Sequence, residues 1–83
     1  MPTVAIVDGV RIVFYVNEHP PAHFHALLAE HRVSVDIETL AILNGSLPKA
    51  KERMVLEWAR EHQDELRIAW NRVADDLPPG RIE

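Results

Sequence analysis

The chain has 83 residues, enough for one domain around a single hydrophobic core. Its hydrophobic content of 47% is typical of a globular protein, and its charged content of 27% is too low for a disordered one. The absence of cysteine excludes disulfide scaffolds, thiolate zinc sites and cysteine nucleophiles. The net charge of -4 argues against sequence-independent nucleic-acid binding, which requires a basic surface.

The sequence shows no signal for export or membrane insertion. No apolar run approaches the roughly 20 residues of a membrane span. The start, Met1-Pro2-Thr3, lacks the basic and apolar regions of a signal peptide. We therefore expect a cytoplasmic protein without membrane contact, which reaches nucleic acid, if at all, through a complex.

The first half of the chain has the pattern of an antiparallel sheet. Two runs of β-branched residues flank Asp8-Gly9, a dipeptide typical of a two-residue hairpin turn. Pro20-Pro21 forms a rigid connection, because proline cannot donate to a strand ladder. The predicted strands cover residues 4–7, 10–16, 23–29 and 32–37, and a short strand lies within 38–44, where a helical turn is the alternative.

From Ser46 the hydrophobic period becomes helical. Ser46 is the predicted N-cap, and Pro48 lies in the first turn, where its missing N–H costs little. Apolar positions recur at steps of three and four residues, which indicates one buried helix face. This face consists of Ala50, Met54, Val55, Trp58, Ala59, His62, Leu66, Ala69, Trp70 and Val73.

These patterns predict a single α+β domain over residues 1–83. A small antiparallel β-meander of four to five strands occupies 1–45, a long C-terminal helix over 46–75 packs on one face, and 76–83 form an extended tail. A straight helix from Ser46 to Val73 spans about 42 Å, roughly twice a typical strand. We expect either a bend near Glu61-His62-Gln63 or packing of the distal part on a second subunit, and predict a homodimer.

Several segments resemble the bacterial family called domain of unknown function 4160. The similarity is carried by Met1-Pro2-Thr3, by Phe14-Tyr15 with the run from Asn17 to His25, by Gly45-Ser46-Leu47-Pro48 and by the segment from Glu57-Trp58 to Trp70. The resemblance implies a compact cytoplasmic α+β protein, encoded beside another small gene in a toxin–antitoxin-like layout. The family has no established activity, so it transfers no catalytic residue.

A polar face of the predicted sheet is the main candidate binding surface. His23 and His25 lie two residues apart on one strand, so both imidazoles project from the same side. Such a face can bind an anion or a metal, or carry out acid–base chemistry, because imidazole titrates near neutral pH. The alternative is an ordinary solvated sheet face. The candidate residues are Arg11, Tyr15, His19, His23, His25 and Asp36, and Ser34 is expected on the same face.

The histidines also raise the question of a metal, which the sequence leaves open. His23-Phe24-His25 with Glu30 has the spacing of the first metal motif of cupin barrels, but 83 residues cannot supply the double-sheet barrel and second motif of a cupin. His19, in the diproline loop, is the third ligand that we expect if zinc or another divalent ion binds. No cofactor is predicted.

The start of the predicted helix is a second candidate site. Lys49 and Lys51, with Ser46 and the free N–H groups of the first turn, have the chemistry to receive a phosphate or a partner's carboxylate. The alternative is a solvated face that tolerates a small electrostatic cost. Within the apolar helix face, His62 is expected to be a core histidine bonded to a backbone or carboxylate group.

Two functions remain open at this point. The acidic balance, the missing catalytic motifs and the family layout favour a non-enzymatic interaction or regulatory module, whose partner is the product of a neighbouring small gene. The alternative is a small ribonuclease or metal-dependent hydrolase, in which His23 or His25 and Tyr15 handle protons and Arg11 steadies the phosphate. Its weakness is the lack of a positive surface to hold RNA.

Overall fold

Residues 3–82 of the computed structural model are described below. Five strands precede two helices along the chain. The strands are β1 (Thr3–Val7), β2 (Val10–Val13), β3 (His23–Leu28), β4 (His31–Asp36) and β5 (Ile42–Ser46). The helices are α1 (Lys49–Glu61) and α2 (Gln63–Ala74). The predicted α+β class is confirmed.

The strands form one antiparallel meander in the order β1-β2-β3-β4-β5. At the first hairpin, Asp8 and Gly9 have φ of 50° and 82°, the left-handed conformation that a two-residue turn of this type requires. The second strand is shorter than predicted, because the chain turns away after Val13 and Asn17 adopts a φ of 62°. Residues 37–39 form the turn after β4, and residues 40–41 connect it to β5.

The hydrophobic core lies between one sheet face and the two helices. Ile12 pairs with Ala26, which pairs with Val33, and all three are buried in this core. Phe24 extends the same face and forms a T-shaped pair with Trp58 on α1, with ring centroids 6.3 Å apart. The alternation of buried and polar residues along the strands thus places the helices on the predicted apolar face.

The predicted long helix is divided at His62. A straight helix over residues 49–74 would be about 39 Å long, whereas the longest extent of the molecule is 33 Å. The break lets Leu66 and Val73 pack into the same core as Val55. The bend that we expected near Glu61-His62-Gln63 is therefore present, and the distal face is buried within one chain. The argument for a dimer from an overhanging helix no longer applies, and the dimer itself stays a prediction.

Two details of the predicted helix face are wrong. Ser46 belongs to β5, where it pairs with Arg32, so it cannot cap the helix, and Pro48 occupies the N-cap without a side-chain hydrogen bond. Ala50 and Met54, which we placed on the buried helix face, are exposed, whereas Val55 and Ala59 of α1 are buried. The backbone hydrogen bond predicted for His62 is present, since its Nδ1–H donates to the Trp58 carbonyl at 2.8 Å, but the side chain is 17% exposed and lies at the margin of the core.

Polar contacts attach the helices to the sheet turns. Lys51 on α1 donates to the carbonyl and carboxylate oxygens of Asp8, both at 2.8 Å. Arg67 on α2 donates through two nitrogens to the carboxylate of Glu38, at 2.6 and 2.9 Å. Gln63 donates to the carbonyl of Ile37 at 2.9 Å. Each helix is thus anchored to a different turn.

The two edges of the sheet differ. The tail returns to β1, where the N–H of Ile82 donates to the Val4 carbonyl at 2.7 Å and the Ile82 side chain is buried. No described residue pairs with the outer edge of β5, whose five residues are all exposed. Neither helix in residues 3–82 combines the length and apolarity needed to cross a bilayer.

Candidate functional site

A group of polar side chains gathers where the loop after β2 folds back over the sheet. Tyr15 and Glu18 both contact His25, so this loop covers one end of the polar sheet face. The strand register places Val13, His25 and Ser34 in one row on that face. Val13 is fully buried there. The face is therefore partly enclosed, rather than the open surface that the alternation alone suggested.

His23 uses both ring nitrogens. Its Nδ1–H donates to the Pro21 carbonyl at 2.7 Å, which assigns the proton of the neutral ring to Nδ1. Its Nε2 lies 3.0 Å from Oε1 of Glu18. The diproline loop, in which the Pro20–Pro21 peptide bond is cis, thus supplies the group that orients this imidazole.

His25 approaches the same carboxylate oxygen from the neighbouring position on β3. Its Nε2 forms a hydrogen bond with Oε1 of Glu18, and its Nδ1 lies 3.4 Å from Oγ of Ser34. A hydroxyl group both donates and accepts, so Ser34 suits either tautomer of the ring. Oε1 of Glu18 is consequently shared by two imidazoles.

Aromatic rings flank both histidines. The Tyr15 ring meets His25 edge-on with centroids 4.6 Å apart. Trp70 from α2 lies against His23 at 5.1 Å. The side chains of His23, His25 and Glu18 are 10%, 19% and 26% exposed, so the group is shielded but still reached by solvent.

The carboxylate of Glu18 is held in its charged form. Partial burial raises the pKa of Glu18, but the hydrogen bonds with His25 and His23, together with their charge, outweigh burial and leave the pKa below its usual value. Within residues 3–82, Glu18, His23 and His25 form the one group of three such side chains whose ligand atoms lie within 4.8 Å of one another. Chemically, this group can share protons or coordinate a cation.

Two shallow cavities adjoin the group. One, of about 240 Å³, is lined by Tyr15, Glu18 and Trp70, among others. The other, of about 300 Å³, extends across the polar face from Tyr15 and His25 to Asn44 and Gly45 of β5. Tyr15 borders both cavities. The second cavity thus connects the polar group to the surface of β5, the outer strand.

The candidate residues from the sequence divide into two sets. Tyr15, His23 and His25 come together with Ser34, as described above. Arg11 is exposed and lines neither cavity. His19 is exposed and lies outside the three-residue group, so the third potential ligand is Glu18. Asp36 accepts hydrogen bonds from the N–H groups of Glu38 and Thr39, at 2.7 and 2.9 Å, and shapes the turn after β4.

The predicted anion site at the helix start is not assembled in the form we expected. Ser46 is part of β5, Lys51 is paired with Asp8, and Lys49 is exposed. A shallow surface cavity lined by Ser46 and Lys49 carries both signs of charge, from the carboxylates of Glu52 and Glu57 and the guanidinium groups of Arg53 and Arg60. The alternative of a solvated, charged helix end fits this arrangement.

Two members of the site were missed by sequence reasoning. The sequence analysis placed Glu18 in the connection between two strands and gave it no role. A rigid turn at Pro20-Pro21 can bring the Glu18 side chain back beside the strand that follows. Trp70 was assigned to the core by its helical spacing, and it does adjoin the core while also facing His23. The diproline turn next to Glu18 could have indicated its position from the sequence. The contact of Trp70 with His23 could not be predicted in this way, because it depends on how α2 crosses the sheet.

Comparison with known proteins gives one positive result. Residues 9–71 match the family described as Domain of unknown function (DUF4160). This match covers well over half of the chain and includes the whole loop and histidine strand. No curated protein and no solved structure matches the chain. The chain therefore belongs to the DUF4160 family.

Proposed function

We propose that this protein is a non-enzymatic interaction module of the bacterial cytoplasm, which binds another protein along the outer edge of β5. The candidate partner is the product of a neighbouring small gene, with which it would form a toxin–antitoxin-like pair. The observation that carries the proposal is the exposed β5 strand, whose outer edge pairs with no described residue.

Strand addition is the recognition mode that this edge favours. An unpaired edge offers a row of backbone donors and acceptors, which a partner strand can complete. Ile42 and Leu43 are 36% and 46% exposed and supply apolar surface at this edge. The pairing of β4 with β5 skips Leu43, which makes it a bulged residue. A bulge discourages indiscriminate pairing between sheets, which favours a partner of matched shape.

The polar face would add selectivity to this backbone contact. A strand placed on β5 lies beside the cavity that runs from Asn44 and Gly45 to His25 and Tyr15. Side chains of a partner can enter this cavity, where imidazole, phenol and hydroxyl groups offer directed hydrogen bonds. The net charge of -4 favours a partner with a basic surface, because complementary charge speeds association and discourages wrong partners.

Co-purification with edge variants tests the proposal. The parent chain, co-expressed with the product of the neighbouring gene, should retain that product through purification. Ile42→Lys and Leu43→Lys should release it, because charged side chains disfavour strand pairing at an edge. Ile6→Lys is the matched control, since Ile6 is 60% exposed on β1, at the other end of the sheet. Complex retention in both β5 variants, or equal loss in the control, would contradict the proposal.

A metal-dependent hydrolase or ribonuclease is the second candidate function. It is favoured by the convergence of Glu18, His23 and His25 beside Tyr15. Purified protein should then cleave RNA or a phosphodiester, and replacing both histidines by glutamine should reduce the rate at least about a hundredfold, the usual contribution of one acid–base group. If the purified parent protein cleaves neither RNA nor a phosphodiester, this candidate function is excluded.

A further inference from the structure

We propose that Glu18, His23 and His25 form a binding site for one divalent transition-metal ion of the zinc class. The ligand atoms are Oε1 of Glu18 and Nε2 of each histidine. This inference goes beyond partner binding and does not depend on it, since the three ligands belong to β3 and the loop before it rather than to the β5 edge.

The spacing of the donor atoms suits a single ion. Two ligands that each lie about 2.0–2.1 Å from zinc in a tetrahedral site are separated by about 3.3 Å. Nε2 of His23 lies 3.0 Å from Oε1 of Glu18, and all three ligand atoms lie within 4.8 Å of one another. Small rotations of two side chains are therefore enough to surround an ion.

The hydrogen bonds of His23 leave a lone pair on the correct nitrogen. Because Nδ1–H donates to the Pro21 carbonyl, Nε2 of the neutral ring is an acceptor. That acceptor faces the carboxylate of Glu18, which is also an acceptor, at 3.0 Å. Two such groups attract each other only when a proton or a cation lies between them. An N–H bond from the distal nitrogen to a backbone carbonyl is also the usual support of a metal-bound histidine.

His25 has the equivalent support from Ser34. With Nε2 on the metal, Nδ1 carries the proton and donates to Oγ of Ser34, which lies 3.4 Å away. Tyr15 and Trp70 pack against the two rings and limit their rotation. Each proposed histidine ligand is thus oriented by a second group and by an aromatic neighbour.

The donor set indicates the class of ion. Calcium and magnesium prefer sites built entirely from oxygen, whereas two imidazoles and a carboxylate suit zinc and its neighbours in the transition series. Three protein ligands leave one tetrahedral position open for water or for a ligand. The cavity of about 240 Å³ that Glu18, Tyr15 and Trp70 line adjoins the group and gives solvent access to Glu18.

Zinc titration of the untagged, chelator-treated chain tests the site. The parent should bind one zinc ion per chain, measured by competition with a chromophoric chelator. Glu18→Gln, His23→Gln and His25→Gln should each weaken binding at least about a hundredfold, since losing only an outer-shell partner already costs about 10- to 100-fold. The matched control is His19→Gln, because His19 follows Glu18 in the sequence but is exposed and lies outside the group. It should bind zinc as the parent does.

Two further readouts keep the test decisive. Circular dichroism of the metal-free variants identifies any that fail to fold, and Glu18→Gln, which preserves size and shape, is the variant most compatible with the native fold. Zinc should also raise the melting temperature of the parent but not of Glu18→Gln, because a ligand of the folded state stabilises it. Failure of the parent to bind zinc at micromolar concentration, unchanged binding in the folded ligand variants, or lost binding in His19→Gln would overturn the proposal.

Discussion

Replacement of Gly45 by alanine should destabilise the fold far more than replacement of any other described glycine. Gly45 has a φ of +79°, and a Cβ atom there would lie 2.1 Å from the carbonyl oxygen of Arg32 and 3.2 Å from Cα of Val33. These are backbone atoms of β4, so they cannot move aside like a flexible side chain. The substitution must therefore separate β4 from β5.

The magnitude follows from two contributions. The left-handed conformation costs a non-glycine residue about 1–2 kcal/mol, and the forced backbone shift adds about 1–3 kcal/mol, as overpacking does. Gly9 and Gly80 have φ of +82° and +80° with no atom within 4 Å of the added Cβ. Gly9→Ala and Gly80→Ala should therefore lose only the first contribution, the cost of the left-handed backbone. The expected losses are about 2–5 kcal/mol for Gly45→Ala and about 1–2 kcal/mol for the two controls.

Urea denaturation followed by tryptophan fluorescence measures this difference. With a slope of about 1 kcal/mol per molar urea, the midpoint should fall by about 2–5 M for Gly45→Ala and by about 1–2 M for each control. A domain of this size has only about 5–10 kcal/mol of stability, so Gly45→Ala approaches unfolding. Equal midpoint shifts for Gly45→Ala and Gly80→Ala would refute the reasoning from close packing of β5 on β4.

Other predictions concern the helix face and its polar anchor. Leu66 is 0% exposed, so Leu66→Ala should leave a core cavity and lower the free energy of unfolding by about 2–5 kcal/mol. Ile68 on the same helix is 59% exposed, so Ile68→Ala should lower it by less than about 0.5 kcal/mol. Similar urea midpoints for the two variants would contradict the assigned helix face. The hydrogen bonds with Arg67 hold the pKa of Glu38 below its usual value, so this pair stabilises the fold at neutral pH and the contribution is lost as the pH falls through that lowered pKa. Glu38→Gln should flatten this acid dependence of the unfolding free energy, and an unchanged profile would show that the pair contributes nothing.

The local features of the fold could be predicted because short-range rules determine them. The alternation in β3 and β4 places Phe24 and Val33 in the core, and Asp8-Gly9 forms the expected hairpin. The helix was predicted too early at Ser46, since its capping signal competes with pairing to Arg32 on β4. Long-range strand pairing overrides a local preference of this kind.

The site could be predicted only in part, for a related reason. Strand period places His23 and His25 on one face, but it cannot show which loop residue returns to them. Glu18 reaches both rings because the loop folds back over the sheet, whereas its neighbour His19 remains exposed. The contact of Trp70 with His23 likewise depends on how α2 crosses the sheet after the break at His62, which the period of the helix does not determine.

Amide hydrogen exchange of β5 in the presence of the partner tests the central proposal most directly. The chain is measured alone and in complex with the product of the neighbouring gene, at the same pH and ionic strength. The proposal predicts that amides within Ile42–Ser46 become strongly protected in the complex, while the outer edge of β1 changes little. Formation of a complex without protection of β5, or with protection confined to the helices, would contradict it.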